Sequence, residues 1–141
     1  MTDRTTFDHF TPIRVRYSEI DAQGIVFNAH YLTYYDITIT EYLRVLGYDY
    51  DGMVRLTGLD FHLVKALVEY RRPIAKDAEI EVGIAVGRIG TSSLTWALAI
   101  FGKDDDEVLA TGEIVWVCSK VGAHKSHPLP ASLLELLGKR P

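Results

Sequence analysis

The chain has 141 residues, 48% of them hydrophobic and 24% charged, with a formal net charge of −4. This length suits one domain with its own core, and the composition excludes a disordered chain. The mild acidity gives no reason to expect nucleic acid as a partner, and no apolar run is long enough to span a bilayer.

The single cysteine, Cys118, allows no internal disulfide. Its place in the apolar run 114–118 reads as a buried, inert thiol rather than a nucleophile. No Cys/His set has metal-site spacing, so neither a metal nor a separate cofactor is expected. The first ten residues, MTDRTTFDHF, are too polar for a signal peptide, and the cytoplasm is the expected compartment.

In chain order, residues 1–12 are polar and end at Pro12, which predicts an unanchored lead-in. A strand is expected over 13–17, followed by a polar turn holding Asp21 and Gly24. A long helix then starts near 28–30 and stops at Gly47, a favoured residue just past a helix end. At about 100° per residue, Thr33, Asp36, Thr40 and Arg44 form one narrow polar stripe. Tyr31, Leu32, Tyr34, Tyr35, Ile37, Ile39, Tyr42, Leu43, Val45 and Leu46 cover most of the rest, the mark of an enclosed helix. Residues 48–60, with Gly52 and Gly58, read as a connector.

From residue 61 the period becomes alternating. Val64, Ala66, Val68 and Tyr70 predict one face of a strand ending at 71–73. Ile80, Val82, Ile84 and Val86 mark a second, 87–91 a turn, and Leu94, Trp96, Leu98 and Ile100 a third. A hairpin loop at 102–106 leads into a last strand over about 107–120. Pro128 and Pro130 break the chain before a short closing helix at 131–137. Tight turns between consecutive strands imply antiparallel pairing. The expected class is therefore α+β, one long helix wrapped by a five-stranded antiparallel sheet. Open sheet edges further predict pairing with a second copy.

The segment Asp21-Ala22-Gln23-Gly24-Ile25-Val26-Phe27, then Ala29-His30-Tyr31-Leu32 and Glu41-Tyr42-Leu43-Arg44, resembles the hotdog-fold acyl-CoA thioesterases. The likeness is nearest to the 4-hydroxybenzoyl-CoA thioesterase group and its YbgC-like relatives. It extends to Arg88-Ile89-Gly90 followed by Ser92-Ser93, and covers nearly all of 1–141 as a single hotdog domain. The resemblance implies a homodimer whose two helices share one continuous sheet, often paired again into a homotetramer, with active sites at the subunit interface. The family carboxylate maps onto Asp21, and the backbone amide that holds the thioester carbonyl maps onto Asn28.

Thioester hydrolysis needs a group to deliver or activate water and a group to stabilise the developing oxygen charge. A carboxylate on a tight turn does the first, as general base or as nucleophile. A helix N-terminus does the second with its free N–H groups. Spacing alone also allows Asp21 to be a turn residue that accepts backbone N–H groups. Asn28 stands where several relatives carry histidine; its side chain reads as a helix N-cap, compatible with the backbone amide role, or as a group that orients water or the thioester. His30 reads as a group that polarises substrate, or one that stabilises the helix start or a dimer contact. Gly24 permits close backbone approach. With Ile25 and Tyr31 it completes the substrate-contacting set of this reading, although Tyr31 alone reads as core.

Asp36 corresponds to an acidic residue near the substrate ring in hydroxybenzoyl-type relatives; a solvated or interface-paired carboxylate is its other reading. Arg88, expected in a turn, leads as the cation for coenzyme A phosphates, followed by Arg71, Arg72, Lys65 and Lys120. Acyl carrier protein would use the same patch. Tyr34, Tyr35, Tyr48, Tyr50 and Phe61 line an aromatic acyl pocket or fill the core. The expected activity is hydrolysis of a short-chain or aromatic acyl-CoA. A non-catalytic acyl-CoA or acyl-carrier-protein binder is the alternative. A hotdog dehydratase is a further one, disfavoured because Val26 stands where those enzymes place histidine.

Overall fold

The computed structural model describes residues 2–138. Its elements are β1 (His9–Arg14), α1 (His30–Leu46), α2 (Tyr50–Thr57), β2 (Leu59–Tyr70), β3 (Glu79–Ile89), β4 (Ser93–Gly102), β5 (Val108–Lys120) and α3 (Ala131–Gly138). All strand pairs are antiparallel, in the spatial order β1-β3-β4-β5-β2. The alternation at Ile80, Val82, Ile84, Leu94, Trp96, Leu98 and Ile100 puts these side chains on one face, each exposed by 2% or less.

That face closes around α1. Tyr42 meets the Trp96 ring edge-on with centroids 6.0 Å apart. The Tyr35 ring packs against β5 at Gly112, where a Cβ would sit only 2.7 Å from the Tyr35 Cζ. The helix ends as expected: Gly47 has φ +84 and its N–H returns to the Arg44 carbonyl at 3.0 Å. The hotdog arrangement, one long helix wrapped by a five-stranded antiparallel sheet, is present.

Several expectations need correction. The first strand is His9–Arg14 rather than 13–17, and the N-terminal segment is anchored. Arg4 donates to the carbonyls of Asp105 and Gly102 and to Glu81, each at 2.8 Å. Phe7 and Phe10 pack edge-on against Phe101 on the sheet's outer face. Gly83 leaves room for both rings, since a Cβ there would meet them at 2.9 and 2.8 Å. Pro12 obscured the strand because a proline reads as a break, yet on an edge strand its missing N–H costs no ladder bond.

Residues 48–60 are not a plain connector. They contain α2, opened by the Asp49 side chain accepting from the Gly52 N–H at 3.2 Å and closed by Gly58 at φ +71. The Gly52 inside it had hidden the helix from propensity reading. Leu32 and Val45 of α1 are exposed, so the helix is covered over less of its surface than its composition suggested. Finally, β2 does not bury the face Val64, Ala66, Val68, Tyr70. Leu63, Val64 and Tyr70 are 58%, 59% and 53% exposed, and only Val68 is half-buried. The strand lies at the sheet edge and its register shifts between Leu63 and Lys65, so apolar side chains stand out on both faces.

Cys118 is fully buried, and burial with the nearby Asp60 carboxylate pushes its thiol up, away from reactive thiolate. Among the described residues no helix is long and apolar enough to cross a membrane.

Candidate active site

The turn after β1 is built by local hydrogen bonds. Asp21 N–H donates to the Ile25 carbonyl at 2.9 Å, and Gly24 N–H donates to the Asp21 carbonyl at 3.0 Å. Gly24 has φ +76, a conformation that a Cβ would strain, so the tight reversal depends on it. Asp21 Oδ1 accepts the Gln23 N–H at 2.8 Å. The turn reading of Asp21 is therefore met by one oxygen. Among the described residues Oδ2 has no donor, so it remains available for other chemistry.

The same loop carries the helix tip. Phe27 N–H donates to the Glu19 carbonyl and His30 N–H to the Phe27 carbonyl, both at 2.9 Å. The Asn28 N–H between them has no acceptor among the described residues. The Tyr70 hydroxyl donates to the Asn28 carbonyl at 3.0 Å, and its ring stands edge-on to Tyr31 at 4.7 Å. The peptide groups around the free N–H are thus held on three sides. The Asn28 side chain does not cap the helix, contrary to that expectation. The N-cap is Ala29, already in helical conformation, with no side-chain cap bond.

Asp21, Gln23, Ile25, Val26, Asn28, Tyr31, Tyr70, Arg71, Arg72 and Pro73 line one open cleft of about 330 Å³. Of the residues expected here, Asp21, Asn28, Ile25 and Tyr31 come together. Gly24 shapes the turn without lining the cleft. His30 lies outside it, with its ring edge-on to Phe27 at 6.0 Å. Burial and, less, the neighbouring Tyr70 push the Tyr31 hydroxyl up, so it stays protonated as a donor.

Asp36 lines a separate cleft of about 590 Å³ with Thr40, Leu43, Arg44, Tyr48, Tyr50, Phe61, Leu63 and Trp116. Tyr34 and Tyr35 are fully buried core side chains rather than cleft residues. Arg88 is not in a turn: it belongs to β3, just after a register shift, on the outer sheet face with Lys65, Thr95 and Glu113. The cleft it lines there shares no lining residue with the Asp21 cleft.

Tyr70, which the sequence did not single out, joins Arg71 and Arg72 in lining the Asp21 cleft. An Ile25–Ala75 bridge, with Val26 N–H donating to the Ile74 carbonyl at 2.8 Å, sews the segment after Pro73 to the Asp21 turn. The signal in the sequence was the Arg-Arg pair directly after a strand; its destination was not local. Arg72 pairs with Glu107 at 2.6 Å, whereas Arg71 has no ion-pair partner among the described residues.

Known proteins resemble this chain in sequence and in fold. The chain is 28% identical to the acyl-CoA thioester hydrolase YbgC of Escherichia coli over 123 residues, 87% of this chain and 90% of that one. The crystal structure of a hypothetical protein from Aquifex aeolicus is 30% identical, with TM-score 0.83, over 92% of this chain and 98% of its own. A Pseudomonas aeruginosa crystal structure is 29% identical, with TM-score 0.85, over 96% and 93%. The thioesterase-like superfamily model matches residues 15–137. The chain belongs to the thioesterase-like superfamily, and it is a thioester hydrolase with the hotdog fold.

Proposed function

We propose that this protein hydrolyses acyl-CoA thioesters. The observation that carries the reading is one cleft lined by both Asp21, with Oδ2 free of protein donors, and Asn28, with its N–H free at the tip of α1. Asp21 Oδ2 either takes a proton from attacking water or itself attacks the thioester carbon. The carbonyl oxygen, gaining charge, is stabilised by the Asn28 N–H and the positive end of α1. The coenzyme A thiolate leaves; the acid forms at once when water attacks, and in the other route water then hydrolyses the mixed anhydride on Asp21 to release it. No cofactor takes part, since coenzyme A belongs to the substrate.

The complete site is a product of two copies. The Asp21 cleft and the aromatic cleft share no lining residue. Yet Phe61 and Leu63, in the first half of the edge strand β2, line the aromatic cleft, and Tyr70, the last residue of the same strand, lines the Asp21 cleft. Antiparallel pairing of two β2 edges would bring the Leu63 end of one copy to the Tyr70 end of the other. The exposed Leu63, Val64 and Leu67 give that edge its apolar cover. The acyl group then enters an aromatic chamber bearing Asp36, which suits a short or aromatic acyl chain. Leu67→Asp is expected to yield a monomer by light scattering, with turnover down roughly tenfold or more. A monomeric variant at full turnover would show that one chain completes the site.

Coenzyme A phosphates are assigned to Arg71, with Arg72 beside it, in place of Arg88. Arg71→Ala is expected to raise KM for acyl-CoA about threefold to fivefold with little change in kcat, the scale of one exposed ion pair. Arg88→Ala should leave both constants as they are. The reverse result, read from the same initial-rate curves, would return the role to Arg88.

The test of the activity itself is thiol release over a panel of acyl-CoA and acyl-carrier-protein thioesters. Turnover on at least one aromatic or short-chain acyl-CoA is expected. Measurable binding with no turnover on any member would make the protein a binder instead.

A further inference from the structure

Glu19 is a buried carboxylate that the mechanism above does not use. It is 4% exposed and lies two residues before Asp21. Its Oε1 accepts the Arg16 N–H at 2.9 Å and the Tyr34 hydroxyl of α1 at 2.8 Å. Its Oε2 is gripped by the Arg16 guanidinium through Nε at 2.9 Å and through Nη2. Its backbone carbonyl accepts the Phe27 N–H at 2.9 Å, one residue before Asn28. A buried acid is retained at a cost unless every lone pair is used, and here the donors come from both ends of one loop.

The loop is the part of the chain whose shape matters most. It holds Asp21 at one end and the Asn28 N–H at the other. The backbone carbonyl of Glu19 closes that loop, and its carboxylate ties the strand side to Tyr34, a fully buried residue in the second turn of α1. We propose that Glu19 is a positioning residue, setting the separation of the Asp21 carboxylate and the Asn28 N–H by bracing the loop between Arg16 and Tyr34. The proposal rests on the roles given to Asp21 and Asn28 above. Glu19 touches no substrate; it acts through Phe27 and Tyr34. Burial alone would push its carboxyl up, but the Arg16 and Tyr34 donors more than offset that and hold it below the usual range, so the brace stays ionised. The Tyr34 hydroxyl is pushed up by burial first and by Glu19 second, and remains a donor.

The experiment compares Glu19→Gln, Tyr34→Phe and Asp21→Asn in purified full-length protein, at a temperature well below each unfolding midpoint. Glu19→Gln keeps the shape and one acceptor but gives up the charge that Arg16 holds. Its kcat is expected to fall about tenfold or more with KM within about twofold, because displaced reacting groups lose rate rather than binding. Tyr34→Phe, which leaves the Arg16 contact in place, should fall about threefold to tenfold. Amide hydrogen exchange over residues 20–30 should quicken in both variants while the strands keep wild-type protection. Wild-type kcat in folded Glu19→Gln, with Asp21→Asn inactive, overturns the proposal and leaves the Asp21 assignment standing. If Asp21→Asn retains full turnover, that assignment fails alone, and exchange decides: unchanged exchange of residues 20–30 in Glu19→Gln also overturns the brace. A loss of activity that only tracks the unfolded fraction does the same.

Discussion

Asp21→Asn is expected to lower turnover at least ~100-fold while leaving the fold intact. The substitution keeps a side-chain oxygen for the Gln23 N–H, now accepted at 2.8 Å, so the turn keeps its local bond. What it removes is the basic, negatively charged oxygen that faces the cleft. If Asp21 is a general base, water loses its proton acceptor; if a nucleophile, no covalent intermediate forms. Both routes give the same initial-rate result in the thiol-release assay. Substrate KM should move little, because the helix tip and Arg71 are unchanged. Turnover within about threefold of wild type would show that another group does the chemistry.

The second large effect concerns stability. Gly112→Ala is expected to destabilise the protein by about 3 kcal/mol, the upper end for overpacking a core, and to lower Tm by roughly 10 °C. A Cβ at Gly112 would lie 2.7 Å from Cζ and 2.9 Å from Cδ2 of Tyr35. Neither partner has an easy way to retreat. Gly112 pairs with Val68 in β2 and Leu98 in β4, so its strand is held on both sides. The Tyr35 ring is fully buried, and displacing it would press on the helix that carries the Asn28 N–H. Gly102→Ala is the control, since a Cβ there makes an ordinary 3.5 Å contact with Asp105 Cβ. Thermal unfolding of both variants checks the claim; equal midpoints would mean that Tyr35 repacks freely.

The local signals proved reliable where they were strong. Alternation at Ile80, Val82 and Ile84 located the inner face of β3, and Gly47 located the end of α1. Where the signals were mixed, the reading slipped. Pro12 masked an edge strand, and Gly52 masked α2 behind an otherwise good cap at Asp49. At β2 an apolar alternation was legible, but which side of the strand would be covered was not. In the single chain Leu59 is buried and Phe61 and Val68 are half-buried, while the register shift between Leu63 and Lys65 leaves apolar side chains exposed on both faces.

Asp21 and the start of α1 were identifiable in sequence because one short loop carries them and close-range hydrogen bonds hold it together. Tyr70 beside them was not, and Arg71 and Arg72 were candidates whose place in the fold was not legible. Tyr70 reaches the Asn28 carbonyl from 42 residues away, and Arg71 and Arg72 arrive with it. Arg88, the leading cation of the family resemblance, lines a different cleft with Lys65 and Glu113. Sequence by itself determined the long helix, the four later strands, the tight turn and the helix tip, since each is encoded by neighbours a few residues apart. Which strand lies beside that turn, and so which cations surround the cleft, was decided only by tertiary pairing. That pairing depends on buried area and strand register across the whole sheet, and no local pattern carries either.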